Sequence, residues 1–183
     1  MKIKMPISNT GSFLFYFSIA IAGIFFLVVK IRFLDIPLER DEGEYAYIAQ
    51  LILNGHSPWE AFSYKIPGVA FIYSLFMFCF GQNIFAVKFS LLIFNLGTCI
   101  FLFLIIKKTI GNFYAAVTIL FFSVLITSAS ILSFAAHATH YVSFFVTGAL
   151  WFYIIAAEKF ENKYFILSGL FFEIGRASCR ERV

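Results

Sequence analysis

Charged side chains are scarce in this sequence of 183 residues, at 13% against the roughly 25% of an average soluble domain. Cysteine is nearly absent too: its three residues have neither metal-ligand nor redox spacing, so they give no indication of a metal centre or a redox pair. The sequence also lacks internal repeats, low-complexity linkers and a soluble domain. Hydrophobic residues make up 61% of the chain, and 27 residues are Phe. This composition predicts an all-α, polytopic membrane protein, surrounded by membrane lipids and without a nucleic-acid partner.

Apolar runs long enough to cross about 30 Å of hydrocarbon recur along the chain. We predict spans at 13–31, 89–106, 113–134 and 141–157, and a further span that begins at 164 and is lost at 172. A cleaved signal peptide is the alternative for the first run, because Ala20-Ile21-Ala22 has the pattern of a cleavage site. The run continues past that pattern to Val29 and then meets Lys30 and Arg32, which favours an uncleaved anchor.

The mixed segment 32–88 decides the topology. Its apolar run at 69–80 has only about a dozen residues, a length typical of an interfacial or re-entrant helix. If this run does not cross, the lysines at 2, 4, 107, 108, 159 and 163 all lie on one side, which the positive-inside rule makes cytoplasmic. We therefore predict a multi-pass protein of the inner (plasma) membrane, with a cytoplasmic N-terminus and with 32–88 as an outer loop.

Residues 173–183 reverse the composition of everything before them. Back-translated, the segment from Ile174 to Val183 matches a common short-read sequencing adapter in frame, and the next adapter codon is a stop. A genuine basic cytoplasmic tail is the alternative. We expect 173–183 not to be native, and 1–172 to form the N-terminal part of a longer transmembrane domain that is inactive by itself.

Acidic residues are concentrated in one place, and four of the ten lie between Glu39 and Glu44. The pattern that follows predicts a helix over 41–53, ended by Asn54-Gly55. One of its faces is apolar and carries Tyr45, Ile48, Ala49 and Ile52.

Two interpretations of Asp41 remain open. Asp41 precedes Glu44 by three residues, which is the capping-box pattern, so Asp41 would simply cap a surface helix. Alternatively, a carboxylate at the boundary between water and lipid is well placed to take a proton from a hydroxyl group. General-base catalysis of that kind contributes about 10²–10⁴-fold to a rate.

Three motifs follow one another in a distinctive order. They are Asp41-Glu42-x-x-Tyr45-Ala46-x-Ile48-Ala49, then Tyr64-Lys65-x-Pro67, then Phe80-Gly81 followed by Phe85-Ala86-x-Lys88-Phe89-Ser90. In this order the sequence resembles polytopic glycosyltransferases of the GT-C fold. It is most similar to the lipid A aminoarabinose transferase and protein O-mannosyltransferase group, glycosyltransferase family 39. Ser168-Gly169-Leu170 is similar to the start of the family's Gly-Leu-x-x-Gly segment, which would make residue 173 a Gly.

The resemblance implies transfer of a sugar from a polyprenyl-phosphate donor to a lipid, glycan or protein acceptor on the outer face, with inversion and with or without a divalent metal. Asp41 and the neighbouring Glu42 would be the catalytic carboxylates, with Asp41 as the base. Lys65 would neutralise the departing phosphate, although the segment here is Lys-Ile-Pro rather than the family's Lys-Pro-Pro. A lysine that reaches the lipid headgroups is the alternative.

The next outer loop departs from the family, because a carboxylate is common there and the stretch 136–141 has none. It has His137 and His140 instead, which would share a helical face. They are candidates for binding the donor phosphate or a metal, but two histidines without a third ligand make a poor metal site, which favours simple interfacial histidines. Trp59, Tyr64 and Tyr141 could stack on sugar, although aromatic residues at the interface are expected in any membrane protein. The candidate substrate-binding residues are thus Lys65, Tyr45, Tyr64, Trp59, His137 and His140.

Two other classes of protein stay open. A transporter or flippase subunit predicts ionisable residues near the middle of its spans, and the predicted spans have none there. A non-catalytic membrane scaffold would need the acidic cluster only as a solvated loop.

The adapter hypothesis predicts what the source locus encodes. Long-read sequencing through codon 172 is expected to give a Gly codon at 173 and an open frame with further apolar runs. A template that itself encodes Ile174 to Val183 and then stops would refute the hypothesis and would favour a small membrane scaffold.

Overall fold

The computed structural model describes residues 9–60, 68–128 and 133–179, with side chains from residue 17 onward. Within these ranges all regular secondary structure is α-helical, with no strand, as the sequence predicts. The helices are α1 (Asn9–Arg32), α2 (Arg40–Leu53), α3 (Gly68–Phe80), α4 (Ile84–Thr109), α5 (Asn112–Leu125), α6 (Ala138–Lys159) and α7 (Asn162–Cys179).

Two helices, α4 and α6, are long and apolar enough to cross a membrane, and α3 and α5 are shorter apolar helices. Many large apolar side chains on the helices face outward; Phe78, Leu75 and Phe121 are 78%, 61% and 64% exposed. A soluble protein rarely exposes apolar surface of this extent, whereas lipid accommodates it. The prediction of an all-α membrane protein is therefore confirmed.

The helices differ from the predicted spans at several ends. Helices α4 and α6 extend beyond 89–106 and 141–157 at both ends, so that Lys88 belongs to α4. Helix α5 ends at Leu125, short of the predicted 134. There the chain turns: the Ser128 amide donates to the Leu125 carbonyl, and the Thr127 hydroxyl donates to the carbonyls of Ser123 and Val124. Helix α7 includes residues 173–179, which the adapter hypothesis predicts not to be native.

The helices pack so that charged groups collect at two opposite ends. α4 lies against α5 and α6, α7 against α6, α1 against α5, and α2 against α3. At one end, Lys108 of α4 and Glu158 of α6 form an ion pair at 2.5 Å. At the other end lie the start of α2, Lys88 of α4 and the segment 133–137. Lysines 107, 108 and 159 therefore lie at the end opposite Asp41. The predicted orientation depends on these lysines lying on one side of the membrane.

The short helix α3 stays beside the first half of α4. Phe76 contacts Phe89 and Phe94 of α4, and Phe80 contacts Phe85 and Phe89. Its 13 residues extend only about 20 Å, less than the thickness of the hydrocarbon layer. That this helix does not cross the membrane stays a prediction, because α5, at 14 residues, is nearly as short and coincides with a predicted span.

A core of buried side chains lies between α2, α3 and the beginnings of α4 and α6. Its members include Tyr45, Ile48, Ala49, Tyr73, Val87 and Tyr141, and Ile52 packs against it partly buried. The apolar face predicted for α2 is thus the face that packs. Asn54 caps the helix and Gly55 follows with a φ of 81°, as the sequence predicts.

Candidate functional site

The first turn of α2 is capped by Glu39 rather than by Asp41. The Asp41 amide donates to Glu39 Oε2 at 3.0 Å, and the Glu39 amide donates to Glu42 Oε2 at 2.8 Å, which completes a capping box. The prediction of a box between Asp41 and Glu44 was wrong by two residues, because Glu39 and Glu42 have the same spacing and lie at the actual start of the helix. The Asp41 side chain is therefore not the helix cap.

Glu42 is completely buried and forms an ion pair with Lys88 of α4. The Lys88 ammonium donates to both carboxylate oxygens, at 2.8 and 2.7 Å, and only 2% of Lys88 is exposed. Glu42 also accepts hydrogen bonds from the backbone amides of Glu39 and Ala136. A buried carboxylate is tolerated when a counter-charge and hydrogen bonds satisfy its oxygens, and here all of these are present.

The irregular segment 133–136 is buried except for the partly buried Phe134, and side chains of four helices hold it. Its carbonyl at Ser133 accepts from Lys30 of α1 at 2.6 Å, and its carbonyl at Phe134 accepts from Lys88 at 2.8 Å. The amide of Ala136 donates to Glu42 of α2, and the carbonyl of Ala136 accepts from Tyr73 of α3 at 2.5 Å. Non-helical backbone can lie inside a membrane protein only if its polar groups find such partners.

His137 follows this segment directly and faces the acidic cluster. It is the N-cap residue of α6. Its Nε2 lies 3.5 Å from Glu39 Oε2 and its Nδ1 lies 3.8 Å from Asp41 Oδ2. The side chains of His137, Glu39 and Asp41 are 20%, 35% and 42% exposed, so solutes can reach the group.

The structure places the other predicted site residues differently. Tyr45 is 6% exposed and packs edge-on against Tyr73 in the core, and His140 is 5% exposed. Trp59 is 56% exposed in the turn after α2, where its amide donates to the Ser57 hydroxyl. Tyr64 and Lys65 lie outside the described residues. Of the predicted residues, Asp41, Glu42 and His137 are thus brought together.

Tyr141, considered as a sugar-stacking residue, belongs instead to a buried polar network. Its hydroxyl and that of Ser90 lie 2.6 Å apart, and its ring packs edge-on against Tyr73. Tyr73 in turn holds the Ala136 carbonyl. This network supports the segment that carries His137.

Sequence reasoning missed Glu39 and Lys88. Glu39 was counted in the acidic cluster, but the cap was placed at Asp41. Lys88 stood just outside the predicted span, where a lysine commonly reaches the lipid headgroups, so nothing in the sequence indicated that it would be buried. Its partner could not be named, because Glu42 lies 46 residues away in sequence.

Removal of the Lys88 charge is expected to destabilise the protein strongly. Lys88→Met leaves the Glu42 carboxylate buried without its counter-charge, which costs about 3–5 kcal/mol. Lys108→Met, which breaks the partly exposed pair with Glu158, is the control and is expected to cost about 1 kcal/mol or less. Denaturant unfolding in detergent measures both changes. Equal stability losses in the two variants would contradict a buried ion pair at Lys88.

Comparison with known proteins gives a family match that covers most of the chain. The model of the family described as dolichyl-phosphate-mannose-protein mannosyltransferase matches residues 64–179. The match includes Lys88 and His137, whereas Asp41 and Glu42 precede it. No curated protein and no solved structure gave a match.

Proposed function

The chain belongs to the dolichyl-phosphate-mannose-protein mannosyltransferase family of membrane glycosyltransferases, and from this premise we propose that Asp41 is the base of a sugar transfer at the outer face of the membrane. The donor is a polyprenyl-phosphate sugar, and the acceptor is a hydroxyl group of a lipid, glycan or protein. The observation that carries the proposal is the contrast between two adjacent carboxylates, Asp41 partly exposed beside His137 and Glu42 completely buried.

Asp41 is the carboxylate that an acceptor can reach. It removes the hydroxyl proton as the acceptor oxygen attacks the anomeric carbon. The bond between that carbon and the phosphate oxygen breaks, and its electron pair leaves with the polyprenyl phosphate. Attack from the side opposite the phosphate inverts the anomeric centre, and the proton stays on Asp41.

Glu42 has a positioning role in this proposal rather than contact with substrate. Its oxygens already accept from Lys88 and two backbone amides. These contacts fix the first turn of α2, which carries Asp41, against the segment that carries His137. A base held in place in this way gains the rate advantage of fixed orientation.

The leaving phosphate needs a cation, and Lys65 remains the proposed residue for that role. The two buried lysines are less suited to it, because Lys88 is paired with Glu42 and Lys30 is 2% exposed and donates to the Ser133 carbonyl. Among the proposed substrate-binding side chains, His137 and Trp59 are accessible, whereas Tyr45 and His140 are buried.

A transport function is the second candidate, and the positions of the buried ionisable residues weigh against it. Lys30 and Lys88 lie at the ends of α1 and α4 that meet the segment 133–136, and both are bound to protein groups. A substrate pathway would require such residues near the middle of the membrane.

Asp41→Asn is expected to reduce transfer by about 10²–10⁴-fold, because the amide cannot accept the acceptor's proton. Asp35→Asn, which changes an exposed carboxylate before the same helix, is the control and is expected to leave transfer unchanged. The assay follows release of polyprenyl phosphate from synthetic polyprenyl-phosphate mannose by membranes that contain the complete gene product at matched levels. Undiminished transfer by Asp41→Asn would eliminate the proposed base.

A further inference from the structure

A groove runs along the outer side of the hairpin that α6 and α7 form. Its lining residues recur at intervals of three and four on each helix, so that each helix contributes one stripe of side chains. The stripes include Val146, Leu150 and Tyr153 of α6, and Phe165, Gly169 and Phe172 of α7. All of them lie before position 173, in the part of the chain that the adapter hypothesis treats as native. The groove has a volume of about 440 Å³, within the range of about 300–1,000 Å³ that is usual for small-molecule sites.

The lining of the groove is mostly apolar and open to the surroundings of the protein. Its large side chains are between 43% and 56% exposed, namely Val146, Leu150, Tyr153, Phe165 and Phe172. The Ser168 hydroxyl, which also lies in the groove, donates to the Ala149 carbonyl at 2.9 Å and is therefore already satisfied. In a membrane protein such a surface lies against lipid, and its chemistry fits an acyl chain rather than a polar solute.

Gly169 leaves the middle of the groove unfilled. A Cβ atom added at Gly169 would meet no atom within 4 Å. The packed side of the same hairpin is different, because a Cβ at Gly148 would lie only 2.5 Å from the ring of Phe171. The space at Gly169 is thus available to an occupant from outside the described chain.

Two lysines lie where the groove approaches the loop between α6 and α7. The ammonium groups of Lys159 and Lys163 are 5.4 and 5.0 Å from the centroid of the Tyr164 ring, so both cations lie near one ring. Tyr153 and Phe165, whose rings meet edge-on, form the end of the groove on this side. Along the helix axes this end is about 3 Å from Lys163 and about 9 Å from Lys159.

Positive charge is in excess around this loop. Residues 107–112 and 158–164 contain four lysines and two glutamates, which leaves a net charge of +2. Both glutamates pair with other lysines, Lys108 and Lys163, whereas Lys159 forms no ion pair within the described residues. A group of four lysines at the ends of apolar helices is typical of binding to anionic lipid headgroups.

We propose that the groove between α6 and α7 binds an acyl chain of an anionic phospholipid whose phosphate lies at Lys159 and Lys163. The apolar stripes match the acyl chain, and the lysines match the negative charge next to it. Lipid tails are as apolar as the groove, so the preference for this lipid comes from its headgroup, and the groove sets its position. The site lies at the end of the molecule opposite Asp41, and it does not depend on the proposed sugar transfer.

Native mass spectrometry of the whole chain, purified in detergent and freed of lipid, measures this preference. The probes are phosphatidylglycerol, which is anionic, and phosphatidylcholine, which is zwitterionic, with identical acyl chains. One phosphatidylglycerol molecule is expected to bind per chain. Its affinity should exceed that of phosphatidylcholine by about 10–30-fold, because each lysine near the phosphate contributes about fivefold.

The lysines are tested one at a time. Lys159→Gln and Lys163→Gln are each expected to weaken the binding of phosphatidylglycerol about fivefold and to leave that of phosphatidylcholine unchanged. Arg32→Gln, which removes an exposed charge at the end of α1 beside the segment 133–136, is the control. It should bind both lipids as the unchanged chain does.

The groove is tested by filling it. Gly169→Leu places a side chain in the open space and is expected to weaken the binding of both lipids. Gly23→Leu is the matched control, because a Cβ at this glycine of α1 also meets no atom within 4 Å. Circular dichroism checks that each variant keeps its helix content.

Equal affinity of the unchanged chain for the two lipids would overturn the proposal, as would unchanged binding by Gly169→Leu. Pairs of chains that Gly169→Leu separates would assign the groove to a second copy of the chain instead. Lipid binding by this chain but not by the complete gene product would assign it to a later span, and either result would also overturn the proposal. No sugar donor enters these measurements, so they succeed or fail independently of the transfer assay with Asp41→Asn.

Discussion

The ion pair between Glu42 and Lys88 is the interaction on which this end of the molecule depends. Both side chains are buried, and their atoms lie 2.7 and 2.8 Å apart. Each partner also binds the irregular segment 133–136, Lys88 through the Phe134 carbonyl and Glu42 through the Ala136 amide. The pair therefore joins α2, α4 and the segment before α6 at a single point. Without it, a charge and several polar backbone groups would be left in apolar surroundings.

The ion pair also fixes the position of the candidate site, because the site residues are neighbours in sequence of the groups that it holds. Asp41 precedes Glu42 and His137 follows Ala136, so both site residues adjoin groups fixed by the ion pair. Adjacent residues on a helix point about 100° apart, which lets Glu42 enter the interior while Asp41 stays accessible. One carboxylate thus holds the structure, and the other, partly exposed, is the proposed base. This division of roles is what a rigidly supported site requires.

The sequence predicted well what depends on local pattern. The apolar face of α2, its end at Asn54-Gly55 and the apolar helices α4 and α6 all follow from periodicity and turn residues. The early end of α5 was not predicted, because the hydrophobic run continues while the backbone leaves the helix for the segment 133–136. That departure is stabilised by Lys30 and Tyr73, which are 103 and 63 residues away in sequence.

The site was predictable only in part, because its contacts also join residues that are far apart in sequence. An acidic cluster beside a membrane drew attention to Asp41 and Glu42, but not to their different burial. The stretch around the two histidines has no carboxylate of its own, and only the fold brings Glu39 to His137. Single-sequence patterns report neighbours along the chain, whereas these contacts join residues nearly a hundred positions apart.

An experimental density map of the protein in lipid nanodiscs tests the central claim most directly. The account predicts that the Lys88 ammonium lies within hydrogen-bonding distance of both Glu42 oxygens and of the Phe134 carbonyl, with His137 facing Glu39 and Asp41. A map in which Glu42 lines an open cavity, or in which Lys88 points away from it toward lipid, would contradict the account.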